Sequence, residues 1–197
     1  VAKTYKKMYT SNLYKALTLL IQDSKITRDE VKKIVSDIEK EYGLYPSLAM
    51  TQEYIEKEKE VLLQLSGDEN TIAKIQSFAQ TLALEETEKE TAQAMEGLVH
   101  NLNTMHSRAG AQVPFSSINL GTDTSAEGRM VTASILEAFL RGLGRGESPI
   151  FPNLVFRIKE GVNFSPGDPN YDLYQKALQV TSRRMNPTYS FMDSPVN

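Results

Sequence analysis

A run almost without charge, SRAGAQVPFSSIN, residues 107–119, brings Ser107, Arg108, Gln112, Ser116, Ser117 and Asn119 into one short segment. Such groups donate and accept without a competing carboxylate. With Arg108 and Gln112 flanking Gly110, they suit a sugar or an anion; the alternative is that the serines satisfy only local backbone. Other candidates are weaker. His100 and His106 lie six apart on one helical pattern, about 240° around it, so they do not form one metal site. GLGRGE (142–147) resembles a phosphate loop, but a dinucleotide fingerprint follows a strand and opens a helix. Here the glycines close a helix and precede PIFP, which reads as a helix stop with tight turns.

Composition bounds the rest. A chain of 197 residues with 40% hydrophobic and 24% charged residues can bury a core. The net charge of −3 and the absence of long basic runs give no indication of a nucleic-acid or anionic-membrane surface. No stretch approaches the roughly 20 apolar residues of a membrane span, and no signal peptide is visible. With zero cysteines the chain has no disulfide, no thiolate metal site and no cysteine nucleophile. No metal-binding constellation is expected, and the composition fits a cytoplasmic protein.

Two halves position these groups. Residues 1–106 read as helices. The first, 1–22, carries Leu13, Leu17 and Leu20 on one side. A second opens on Thr27 and Glu30 at capping-box spacing and stops at Gly43. A third covers about 48–65. A long fourth, 69–106, has Ile72, Ile75, Phe78, Leu82, Met95, Leu98, Val99, Leu102 and Met105 at steps of three and four, interrupted by an acidic run read as a solvated face.

Residues 107–197 alternate strand and helix. Strands are expected at 112–120, 153–159 and 188–193. A helix over 124–144 is capped by Thr124 with Glu127, and another over 168–185 opens on Asp168 and Pro169. The β-α-β-α-β order predicts parallel strands, adjacent or nearly so, with both helices on one face. Ile118 and Leu120 then face the helices, and Phe115, Ser117 and Asn119 the other side. A polar face on such a strand suggests a cupped sheet around a polar cavity, or else an exposed strand face. Asn119, Gly121, Lys159, Gly161 and Asp193 fall near the C-terminal strand ends, where parallel α/β sheets gather ligand groups.

Three stretches, HNLNTMHSRAGAQVPFSSINLGTDTSAEGRM, GLGRGESPIFPNLVFRIKEGVN and DPNYDLYQKALQVTSRRMNPTYSFMDSPVN, closely resemble class III anaerobic ribonucleoside-triphosphate reductases over about residues 82–197. The resemblance implies an α/β fold in which a helical region precedes part of a ten-stranded glycyl-radical-enzyme barrel. It implies reduction of ribonucleoside triphosphates to deoxyribonucleoside triphosphates, with formate as the usual reductant. It also implies a glycyl radical installed by an iron–sulfur, S-adenosylmethionine-dependent activase, a thiyl radical on a cysteine, zinc in a C-terminal region, and a homodimer. Ser107, Arg108, Gln112, Ser116, Ser117 and Asn119 would then belong to the barrel wall that receives the nucleotide.

The departures from the family matter. The chain holds neither of the family's active-site cysteines, nor the glycyl-radical and zinc regions. It is therefore expected to be an internal fragment of the catalytic subunit, with no catalytic residue and no cofactor of its own. VAKTYKKMY, at the start, resembles the family's effector-side helix. That makes Lys7 the matching position for the phosphate of a deoxynucleotide or ATP effector. The competing reading is a non-catalytic module that dimerises through its helices and binds nucleotide without chemistry.

Overall fold

The computed structural model describes residues 1–21, 26–66, 68–104, 113 and 115–195. It divides into two compact units, Val1–Lys89 and Glu90–Asn197. The elements run α1 (Ala2–Leu20), α2 (Arg28–Tyr42), α3 (Gln52–Ser66), α4 (Glu69–Thr104), β1 (Ser117–Leu120), α5 (Ala126–Arg141), β2 (Asn153–Ile158), α6 (Tyr171–Arg184) and β3 (Thr188–Phe191). The unit boundary falls within α4.

The first unit is helical. At α2 the expected capping box forms: the Thr27 hydroxyl accepts from Glu30 N–H and the Glu30 carboxylate accepts from Thr27 N–H. Gly43 ends the helix in the left-handed region, φ 70°. Leu13 and Leu17 are fully buried as their spacing predicts, but Leu20 is exposed. The helix ends there, and Ile21, in extended backbone, packs against the core instead. Along α4 the buried line is Ile72, Ile75, Gln76, Ala79 and Ala83. Phe78 lies outside that phase and is exposed. One carboxylate enters this core. Glu58 is fully buried, accepting from the hydroxyls of Tyr9 (2.6 Å) and Tyr54 (2.7 Å) and from the Gln76 side-chain amide (2.9 Å).

The second unit is built on a three-stranded parallel sheet of order β1-β2-β3. Ser117 pairs with Asn153, Asn119 with Val155, Val155 with Thr188 and Arg157 with Ser190. The crossovers pass through α5 and α6, and both helices pack on one face. Ile118, Leu120, Leu154, Phe156 and Ile158 point into a core with Leu136, Phe139, Leu173, Ala177 and Val180. The burial of β2 alternates strictly, every second residue inside. Strand order, direction and helix placement are those the sequence predicts.

Three element starts in this unit differ. Regular pairing on β1 begins at Ser117, later than expected. The cap of α5 is Ser125, whose hydroxyl accepts from Gly128 N–H at 3.0 Å, and Thr124 with Glu127 does not form it. Asp123 causes the shift by accepting from Ser125 N–H (2.9 Å), which turns the chain one residue later. Gly128 makes this possible, because a Cβ there would stand 2.2 Å from the Asp123 carboxyl. At α6 the cap position is Asn170. Asp168 is held in the preceding turn by Ser165 N–H (2.8 Å), and the Asn170 side chain is engaged elsewhere. The GLGRGE segment is the expected stop: Gly142, φ 83°, ends α5, and Leu143 bridges Glu147.

Candidate functional site

The candidate site is the helix-free face of the sheet together with the C-terminal ends of its strands. By register and alternation that face carries Ser117 and Asn119 from β1, Asn153, Val155 and Arg157 from β2, and Thr188 and Ser190 from β3. It is polar, with no carboxylate among those strand residues. Ser117 and Asn119 are exposed on it. The Ser117 hydroxyl donates to the Asn153 carbonyl oxygen at 3.1 Å, leaving its lone pairs available. Phe115, 80% exposed, sets its ring edge-on to Phe151 at 5.5 Å beside this surface.

At the strand ends the loops are tied by side-chain amides. Asn163, fully buried, donates to the carbonyls of Gly121 (2.9 Å) and Arg157 (2.8 Å) and accepts from Lys159 N–H (2.9 Å). Asn170, also fully buried, donates to the carbonyls of Gly121 (3.0 Å) and Asp123 (2.8 Å). Arg129 donates to Asn170 Oδ1 (2.7 Å) and to the Pro169 carbonyl, and grips Asp172 through both nitrogens (3.1 and 2.7 Å). These hydrogen bonds from Arg129 hold the Asp172 carboxyl below its usual range, and those from Ser125 do the same for Asp123. Asp193, after β3, accepts from Glu160 N–H at 2.7 Å. The strand ends thus form a pre-built rim of fixed backbone groups.

Several expected site residues are placed and others are not. Ser117 and Asn119 share the open face. Ser116 does not join them: its hydroxyl is buried, with no hydrogen-bond partner among the described residues. Ser107, Arg108 and Gln112, like His106, lie outside the described residues. His100 sits exposed on α4, with the Thr104 hydroxyl 3.4 Å from its Nδ1. It lines a shallow pocket of about 200 Å³ with Glu96, Gly142 and Leu143. On α1, Lys6 pairs with Glu39 at 2.5 Å, whereas Lys7 is exposed and has no ion-pair partner among the described residues. Among those residues no group of three or more His, Asp or Glu could hold a metal, and no helix is long and apolar enough to cross a membrane.

Reasoning from sequence missed Asn163, Asn170, Arg129 and Arg157. The two asparagines sit in GVNFSPGDPN, where turn-forming residues are ordinary and a buried amide looks the same as a surface one. Arg157 had a usable signal: it is the one charged residue inside the alternating strand NLVFRI.

A parallel α/β sheet with helices on one face and a polar opposite face defines an α/β protein of the class in which ligand groups gather at the C-terminal strand ends. Comparison with known proteins narrows the class. The family model described as anaerobic ribonucleoside-triphosphate reductase matches residues 11–197. The anaerobic ribonucleoside-triphosphate reductase of Salmonella typhimurium is 44% identical over 110 residues, 55% of this chain and 15% of that protein. That of Haemophilus influenzae is 39% identical over 122 residues (61% and 16%), and that of enterobacteria phage T4 43% over 117 residues (59% and 18%). The chain belongs to the anaerobic ribonucleoside-triphosphate reductase family. It matches about a sixth of the length of these relatives.

Proposed function

We propose that this chain is part of an enzyme that reduces ribonucleoside triphosphates to deoxyribonucleoside triphosphates for DNA synthesis in the cytoplasm, and that it supplies a portion of the substrate-binding wall. The observation that carries the reading is the family match over residues 11–197. The three parallel strands would be an arc of a ten-stranded barrel, with the polar face turned inward.

On that reading the chain's own residues bind and orient. Ser117 and Asn119 offer neutral donors and acceptors to a ribose, and the family resemblance assigns Ser107, Arg108 and Gln112 to the same function. Apolar packing behind the strands and the tied rim keep Ser117 and Asn119 in place, so little reorganisation is needed when a nucleotide enters. The hydrogen-abstracting chemistry would come from a glycyl radical, installed by an iron–sulfur activase, and from a cysteine, neither of which this chain supplies. Zinc would likewise sit outside it. The helices of the first unit would serve a homodimer and an effector site that includes Lys7.

The test is anaerobic assay of the full-length protein with its activase, formate and a ribonucleoside triphosphate, scored by deoxynucleotide product. Product from the full-length protein and none from residues 1–197 alone is the expected pair of results. Nucleotide binding by the full-length protein without any product would favour the non-catalytic module instead.

A further inference from the structure

The geometry points to Arg157 as the anion-binding residue of the nucleotide site, taking a phosphoryl group of the triphosphate; this rests on the substrate reading above. Arg157 stands on the central strand, on the face away from the helices, and its backbone is opposite Ser190. It is the only charged residue of the seven strand positions on that face. No carboxylate lies within ion-pair distance of it among the described residues, and no hydrogen bond from its guanidinium is found there either. Every arginine with such a partner in this unit lies on the helix side or its loops: Arg129 with Asp172, Arg141 with Glu96, and Arg184 on the carbonyls of Leu140 and Gly146.

A half-buried arginine on a face whose other strand residues are uncharged is suited to meet an anion arriving from outside. Its planar fork matches two oxygens of a phosphoryl group, and bonds of that kind are the strong, charge-assisted ones. Asn119 lies diagonally across the pair of strands, one register step from Arg157. That spacing of roughly 7 Å lets one ligand touch both side chains. A nucleotide with its phosphate on Arg157 would therefore bring its sugar toward Asn119 and Ser117.

The backbone under Arg157 is fixed before any ligand binds. Its carbonyl accepts from Asn163 at 2.8 Å, and the chain at Gly121 passes so close that a Cβ there would meet the Arg157 carbonyl oxygen at 2.9 Å. A charged side chain on an immobilised strand, unpaired among the described residues, is a pre-organised half of an ion pair.

Equilibrium binding of a ribonucleoside triphosphate to the full-length, unactivated protein tests this directly, with turnover as a second readout. Arg157→Gln should weaken triphosphate binding and raise KM by about ten- to a hundredfold, with kcat changed less than about threefold. Arg157→Lys should fall between the two, and the parent nucleoside should bind both proteins alike. Arg183→Gln, which removes an equal charge from the helix side, should leave binding unchanged. Equal triphosphate affinity in folded wild-type and Arg157→Gln protein overturns the assignment, as does an equal loss in Arg183→Gln. So does a shift confined to KM for formate. A large drop in melting temperature in both Arg157→Gln and Arg157→Met would show instead that Arg157 is paired with a carboxylate elsewhere in the parent. Absence of product from the activated wild type would defeat the reductase reading, while the binding arm would still decide the role of Arg157.

Discussion

The side-chain amide of Asn163 bonds to the Gly121 carbonyl, 2.9 Å away across 42 positions of sequence, and through the same nitrogen to the Arg157 carbonyl. One side chain therefore joins the ends of β1 and β2, and its Oδ1 closes the turn onto Lys159 N–H. Asn163→Ala leaves three backbone groups without that partner in a buried site. The expected loss of stability is about 2–4 kcal/mol, measured by urea unfolding of the 197-residue chain. Asn163→Asp should be no better, since a carboxylate would then face two carbonyl oxygens. A loss below about 1 kcal/mol for Asn163→Ala would mean that water replaces the amide.

Gly121 makes the same junction from the other side. Its φ is +112°, and a Cβ would sit 2.9 Å from the Arg157 carbonyl oxygen and 3.1 Å from the Phe156 ring. Gly121→Ala is expected to destabilise by about 1–3 kcal/mol from the backbone conformation alone. The double variant with Asn163→Ala should cost less than the sum of the two, because both act on one carbonyl pair. Strict additivity in unfolding free energy would separate the two residues into independent contacts.

How much of this was legible beforehand follows from what each feature depends on. Strand order and direction were readable because the alternation in NLVFRI and the helix lengths leave few ways to connect the elements. The capping box at Thr27 was readable because its partners lie three residues apart. The caps of α5 and α6 were not, because tertiary demands decide them: Asp123 takes the Ser125 N–H, and Asn170 is drawn to Gly121. In the first unit Phe78 is out of phase and Glu58 and Gln76 are in it, an inversion that apolar periodicity cannot signal. On the open face, Ser117 and Asn119 were legible by alternation. Arg157 drew no reading of its own, because the alternation of NLVFRI identifies a strand without saying which of its two faces is open.

Lys7 offers a separate test in the first unit. Its neighbour Lys6 is occupied by Glu39, whereas Lys7 has no ion-pair partner among the described residues and, on the proposed reading, is the cation that would meet an effector phosphate. In the full-length protein, Lys7→Ala should weaken deoxynucleotide effector binding by about three- to tenfold, the range of one exposed charge contact. It should also blunt the effector-dependent change in substrate preference while leaving unstimulated turnover in place. Effector titration by calorimetry reads the first effect, and unchanged affinity would remove Lys7 from the site.

Glu58 predicts a pH dependence of the helical unit. Burial raises its carboxyl above the ordinary value of 4.5, against the opposing hydrogen bonds from Tyr9, Gln76 and Tyr54. Burial also raises Tyr9 and Tyr54, and pushes Tyr5 up to about 12, so these hydroxyls stay protonated over the working range. Between 4.5 and the raised value the folded chain holds a proton that the unfolded chain has lost. Its contribution is therefore complete below the unfolded value and is lost as pH rises through the folded one. Glu58→Gln cannot ionise and keeps an acceptor for one tyrosine. Relative to wild type, the glutamine variant should be least favoured near pH 4 and should gain as pH rises above 4.5, until the raised value is passed. The measurement is the difference in unfolding free energy between the two proteins across that range, which cancels the titration of groups they share. A difference that stays flat with pH would show that Glu58 has the same proton affinity folded and unfolded, and would leave the carboxylate as an ordinary acceptor for its three donors.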